Sequence, residues 1–136
     1  MNLLRINLSP RYLDYGLLLT RLAFGFSVFY GHGYGKINRL FGADEIKFAD
    51  PFGLGPAVSL ALVTFAEVVC AFLVIFGLFT RTALIPLIVV MATAYFTVHF
   101  AQEFGQQEKV ILFRFAFLSL FLTGPGKFSL DNYLKK

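Results

Sequence analysis

Apolar residues run along this chain in long blocks and do not alternate with polar ones. A helix needs roughly 20 apolar residues to cross a hydrocarbon core of about 30 Å. Four blocks approach that length, over residues 15–35, 56–79, 82–100 and 107–123. Hydrocarbon offers no hydrogen-bond partners, so each block satisfies its backbone there only as a helix. The pattern predicts an all-α fold, an integral membrane four-helix bundle built as a single domain over residues 1–136. Residues 77–81 leave a very short turn between the second and third blocks, which makes them antiparallel neighbours. The third and fourth are joined briefly over 101–106, and Gly124, Pro125 and Gly126 stop the fourth before a short tail. The long connection, 36–55, mixes Lys36, Arg39 and Lys47 with Asp44, Glu45, Asp50 and several Phe residues. It predicts a short amphipathic interfacial helix or a packed cap.

Composition agrees with this reading. The chain is 57% hydrophobic and 15% charged, against about 45–50% and about 25% in ordinary soluble domains. A water-soluble monomer is thereby excluded, and the lipid bilayer is the first partner. Eighteen Phe and six Tyr exclude disorder. One cysteine, Cys70, cannot form an internal disulfide or a cysteine metal cluster. The net charge of +4 is spread along the chain without a basic stripe, so no nucleic-acid partner is expected. The first block follows Arg5 and Arg11, contains Arg21 and lacks a small-residue cleavage site, and so reads as a retained helix. Arg5, Arg11, Arg81, Lys127, Lys135 and Lys136 fall on one side of the bundle, and Lys36, Arg39, Lys47 and Lys109 on the other. That excess places both termini in the cytoplasm.

Ionisable groups inside spans are costly, usually face the bundle interior and mark function. Arg21 and Glu67 are the natural ion pair between the first two spans, with Arg114 a second candidate partner for Glu67. Helical steps of three and four put Arg21, Gly25, Val28, His32 and Lys36 on one stripe. Gly25, Gly31, Gly33 and Gly35 permit close approach of a helix or ligand. His32, Lys36, His99, Glu103, Glu108 and Lys109 gather towards the outer face. Such a cluster could exchange protons, hydrogen-bond a quinone carbonyl or bind a metal. The structural alternatives are a buried pair that fixes helix register and polar anchors at the interface. The candidate ligand-binding residues are Arg21, His32, Lys36, Glu67, His99 and Glu108; no metal site and no catalytic residue is assigned. The chain has no phosphate-binding glycine loop, no nucleophile elbow and no Cys-x-x-Cys pair.

An ordered series of short pieces carries a family resemblance. Leu19-Thr20-Arg21-Leu22 lies in the first span, and His32-Gly33-Tyr34-Gly35-Lys36 closes it. Glu67 and then Gly77-Leu78-Phe79-Thr80-Arg81 follow. His99, Glu108 and Gly124-Pro125-Gly126-Lys127-Phe128-Ser129-Leu130-Asp131 complete the series. Over most of its length the chain resembles the DoxX family of small bacterial membrane proteins. The resemblance implies a four-helix bundle in the inner membrane. It also implies a link to membrane redox work, since relatives include a subunit of an archaeal thiosulfate:quinone oxidoreductase and a partner in bacterial oxidative-stress complexes. The expectation is a subunit or accessory of a quinone-linked redox system, without independent enzymatic activity, that binds a quinone-like ligand and meets redox partner subunits. The alternatives are a small proton-coupled transporter using Glu67 and a non-catalytic scaffold. A homo-oligomer joined through Gly25, Ala66 and Ala71 is a further expectation.

Overall fold

The structure is a computed structural model that describes residues 9–135, apart from the side chain of His99. The described residues are all helical or irregular, with no strand. Helix α1 (Pro10–Val28) continues through a π-helical turn (Phe29–Gly33) into α2 (Tyr34–Phe41). This first rod is longer than the sequence pattern suggests, because the amphipathic stretch after residue 35 prolongs the helix and does not start a new one. The second rod is α3 (Pro56–Phe65), a π-turn (Ala66–Cys70) and α4 (Ala71–Phe76). The third is α5 (Thr80–Ala94) with a terminal π-turn (Tyr95–His99), the fourth is α6 (Phe104–Thr123), and a short α7 (Leu130–Leu134) follows.

Local chemistry sets the boundaries. Pro10 and Pro56 occupy the first helical positions of α1 and α3, where a missing N–H is harmless. Gly77 ends α4 in the left-handed conformation (φ 69°), and the Leu78 N–H returns to the Leu73 carbonyl at 2.8 Å. Neighbouring rods touch in sequence order, and the first also meets the fourth, so the four close a ring. The core between them is built from Val28, Ala71, Val74, Leu84, Leu87, Phe117 and Leu120. The outer faces are apolar on every rod: Phe26, Leu62, Val89 and Leu112 are each about half exposed or more. Among the described residues two helices, Pro56–Phe76 and Thr80–Val98, are long and apolar enough to cross a membrane.

Glycine sets the contact between the first two rods. A Cβ at Gly25 would lie 2.6 Å from Ile75 Cγ1, and one at Gly33 would lie 2.7 Å from the Glu67 carbonyl. Eight residues along one rod therefore match eight along the other in an antiparallel pair. Gly31 and Gly35 face open space. Gly25, Ala66 and Ala71 are buried inside the bundle, so these three residues do not supply a surface between two copies. The tail folds back over the turn at Gly77 and does not trail away. The Asp131 N–H donates to the Gly77 carbonyl at 2.8 Å, and the Lys127 N–H to Asp14 Oδ1 at 3.0 Å. Arg11, Arg81, Lys127 and Lys135 thus share the end that carries the termini, while Arg5 and Lys136 lie outside the described residues.

Candidate functional site

Two of the three π-turns meet where Gly33 crosses the second rod. A π-turn inserts an extra residue into a helix and re-aims its side chains, and such turns recur at functional sites. One carries His32 and the other Glu67. Glu67 is almost wholly buried, at 3% exposure. One turn beyond His32, Lys36 reaches across the contact, and its Nζ lies 2.5 Å from Glu67 Oε2. The same ammonium donates to the His32 carbonyl at 3.2 Å. The His32 ring stands edge-on to Phe113, with centroids 5.6 Å apart. Buried glutamate and half-buried lysine thus form a hydrogen-bonded ion pair with no net charge.

The pair is not packed over. Lys36, Glu67 and His32 line one end of a cavity of about 350 Å³. Its remaining wall is mostly apolar, from Leu62 and Val63 on the second rod and Val89, Val90, Ala94 and Val98 on the third. Phe48, Pro51, Phe52 and Leu54 of the long connection also line it. Asp50 holds that loop in place. It accepts hydrogen bonds from Ser59 Oγ (2.8 Å), the Gly55 N–H (2.8 Å) and the Leu54 N–H (2.9 Å). The Ser59 bond, backed by these N–H groups, holds the exposed Asp50 carboxyl below the usual carboxylate range despite some desolvation. Of the two expectations for 36–55, the helix is met in part by α2, which ends at Phe41, while 42–55 form a largely exposed loop beside the cavity. The lining role of Phe48, Phe52 and Leu54 was not legible; the only signal was a Phe-rich segment with a turn at Asp50.

The six sequence candidates separate. His32, Lys36 and Glu67 come together. Arg21 does not join them, and the expected Arg21–Glu67 pair is corrected: Glu67 pairs with Lys36. Arg21 is fully buried at the opposite end, where it donates to the Val74 carbonyl (3.4 Å), the Ile75 carbonyl (3.2 Å) and the Phe128 carbonyl. The first two carbonyls lie in the last turn of α4, at the negative end of its dipole, and that of Val74 also accepts from the Gly77 N–H at 3.1 Å. Arg114, the other candidate partner, stands over the Tyr95 and Phe115 rings at 5.1 and 5.3 Å. Glu108 is exposed on α6 and does not line the cavity. His99 closes the third π-turn, but its side chain is outside the described residues.

Asp131 has a structural role that sequence reading missed. Its carboxylate accepts from the Phe79 N–H (2.7 Å) and the Thr80 N–H (2.9 Å), capping the start of α5 from about fifty residues away. Partial burial pushes this carboxyl up, but the bonds from Thr80 and Phe79 outweigh it and hold it below the ordinary carboxylate range.

The chain is 28% identical over 115 residues to an uncharacterized protein of Haemophilus influenzae, covering 79% of this chain and 76% of that one. No solved structure matches it. The DoxX family model matches residues 16–100, which include Arg21, His32, Lys36, Glu67 and His99. That match covers well over half of the chain, and the protein belongs to the DoxX family of small membrane proteins.

Proposed function

We propose that this protein is a four-span inner-membrane bundle, acting as one transmembrane domain, that binds a quinone-like ligand at the Lys36–Glu67 end of its cavity. In this reading it serves a membrane redox system as a subunit or accessory and carries no catalytic residue of its own. The carrying observation is a lysine–glutamate ion pair facing an apolar cavity of about 350 Å³. Ligand pockets fall at roughly 300–1,000 Å³, mostly apolar with a few convergent polar groups. Lys36 supplies a charge-assisted donor to a carbonyl, and Glu67 positions that donor. The apolar outer faces of all four rods support immersion of the first and fourth as well as the two most apolar. Basic residues at the end bearing the termini support a cytoplasmic location for that end.

The experiment is quinone binding to the full chain in lipid nanodiscs, titrated with decylubiquinone. Lys36→Met and Glu67→Gln are expected to abolish saturable binding while preserving helical content. Unchanged binding in both would defeat the assignment. A second reading, proton-coupled transport through Glu67, is favoured by the access that the cavity gives to a buried carboxyl. Uptake into proteoliposomes driven by a pH gradient and lost in Glu67→Gln would select it.

A further inference from the structure

The exposed residues that line the cavity lie on the sides of the second and third rods and, as Phe52 and Leu54, on the connection at its end. Leu62, Val89 and Val98 line the cavity and are also 53%, 51% and 47% exposed. Leu62 stands on the second rod and Val89 and Val98 on the third, so the gap runs between two rods along their outer faces. Those two rods are the ones long and apolar enough to cross a membrane. In a bilayer this gap meets acyl chains.

The polar end constrains the ligand further. Lys36 and Glu67 cancel each other's charge, so the site offers no net charge to an ionic head. An ammonium has three donors. Among the described residues Glu67 takes one and the His32 carbonyl takes another, which leaves one for a ligand acceptor. The volume lies near the lower end of the usual range for ligand pockets, roughly 300–1,000 Å³. That is room for a head but not for a long chain.

We infer that the cavity takes uncharged amphiphiles from the lipid phase, with a hydrogen-bond-accepting head at Lys36 and a hydrocarbon tail leaving between Leu62 and the pair Val89 and Val98. This rests on the reading of the cavity as a ligand site in a membrane bundle. It adds the entry route, the need for a tail and the exclusion of anionic heads. It does not require that the head be a quinone.

The test uses the full chain in nanodiscs, with ligand expressed as mole fraction in lipid so that simple partitioning cancels against empty discs. Four probes are compared: decylubiquinone, its dimethoxy-methyl-benzoquinone head without the tail, dodecanol and dodecanoate. Decylubiquinone is expected to bind at least about tenfold better than its tail-less head. Leu62→Trp, which fills the gap from one wall, is expected to lower tailed-probe binding about fivefold or more, and Val98→Trp does the same from the other wall. Leu112→Trp, on the exposed face of α6 and away from the cavity, is the control and leaves binding unchanged. Saturable dodecanol binding that the two tryptophans block, with no quinone binding, sinks the quinone reading and sustains the inference. Equal binding of tailed and tail-less quinone overturns it. So do insensitivity to both tryptophans, preference for dodecanoate over dodecanol, and absence of saturable binding by every neutral tailed probe. A tryptophan variant that fails to fold is replaced by the one on the opposite wall, and failure of both is met by Val89→Phe.

Discussion

The bundle buries an arginine at one end and a glutamate at the other, and the two are handled differently. Arg21 is enclosed by carbonyls from the end of α4 and from the folded-back tail, and a Cβ at Gly77 would strike its guanidinium. That end is knitted by Asp131, Asp14 and the tail backbone into a closed plug. Glu67 is paired with one flexible lysine, sits on a π-turn and faces open volume. A charge surrounded by fixed backbone acceptors has an architectural role. A charge whose partner is a side chain beside a cavity has room for a third molecule. A buried charge alone therefore does not distinguish the two roles; the surroundings do.

The comparison can be broken first at Arg21. Arg21→Met keeps most of the volume but removes the hydrogen bonds to the Ile75 and Phe128 carbonyls and one of the two to the Val74 carbonyl, and is expected to destabilise the fold by about 2–4 kcal/mol. The measurement is the unfolding midpoint in detergent, and a wild-type midpoint would remove Arg21 from its structural role. At the other end, Lys36→Met and Glu67→Leu singly are each expected to lose about 2–3 kcal/mol, since each strands its partner. The double variant should lose less than the sum, because no unpaired charge remains. Strict additivity in the same unfolding assay would show that the pair is not coupled.

Smaller changes sharpen the picture. Gly33→Ala is expected to force the two rods apart, with a loss of about 1–3 kcal/mol and weaker ligand binding. Gly31→Ala, facing open space, should be neutral or slightly stabilising by a few tenths of a kcal/mol or about 1 kcal/mol at most. Equal effects at the two glycines would contradict the close crossing. Asp131→Ala is expected to lose about 1 kcal/mol at neutral pH, as for the loss of a helix cap. The Asp131 carboxyl titrates below its ordinary 3.8 in the folded chain. Its contribution is therefore complete above that value and fades as pH falls through the folded pKa. Wild type and Asp131→Ala should converge in stability under strong acid; a gap that widens on acidification would reverse the sign and refute the cap.

Much of the architecture was legible. Four apolar blocks marked four rods, and steps of three and four put His32 and Lys36 on one stripe. The partner of Glu67 was not legible, and the reason is register. Ending the first helix at 35 brings Arg21 opposite the region of Glu67. The helix continues to Phe41, and the antiparallel match slides by more than three turns, which brings Gly33 and Lys36 there in its place. Hydropathy ends the first span at 35 because charged residues follow, whereas a helix can extend into a polar interface without loss. The Asp131 cap and the Phe48–Leu54 wall depend on contacts distant in sequence, which no local pattern encodes.

The most direct measurement is nitrogen-15 NMR of the full chain in lipid, with lysine and arginine side chains labelled and Lys36 and Arg21 assigned by Lys36→Met and by Arg21→Lys. On addition of decylubiquinone the Lys36 ammonium resonance is expected to shift in a saturable manner while the Arg21 guanidinium resonances stay in place. A shift confined to Arg21, or none at Lys36 at saturating quinone, would contradict the division of the bundle into a sealed end and a binding end.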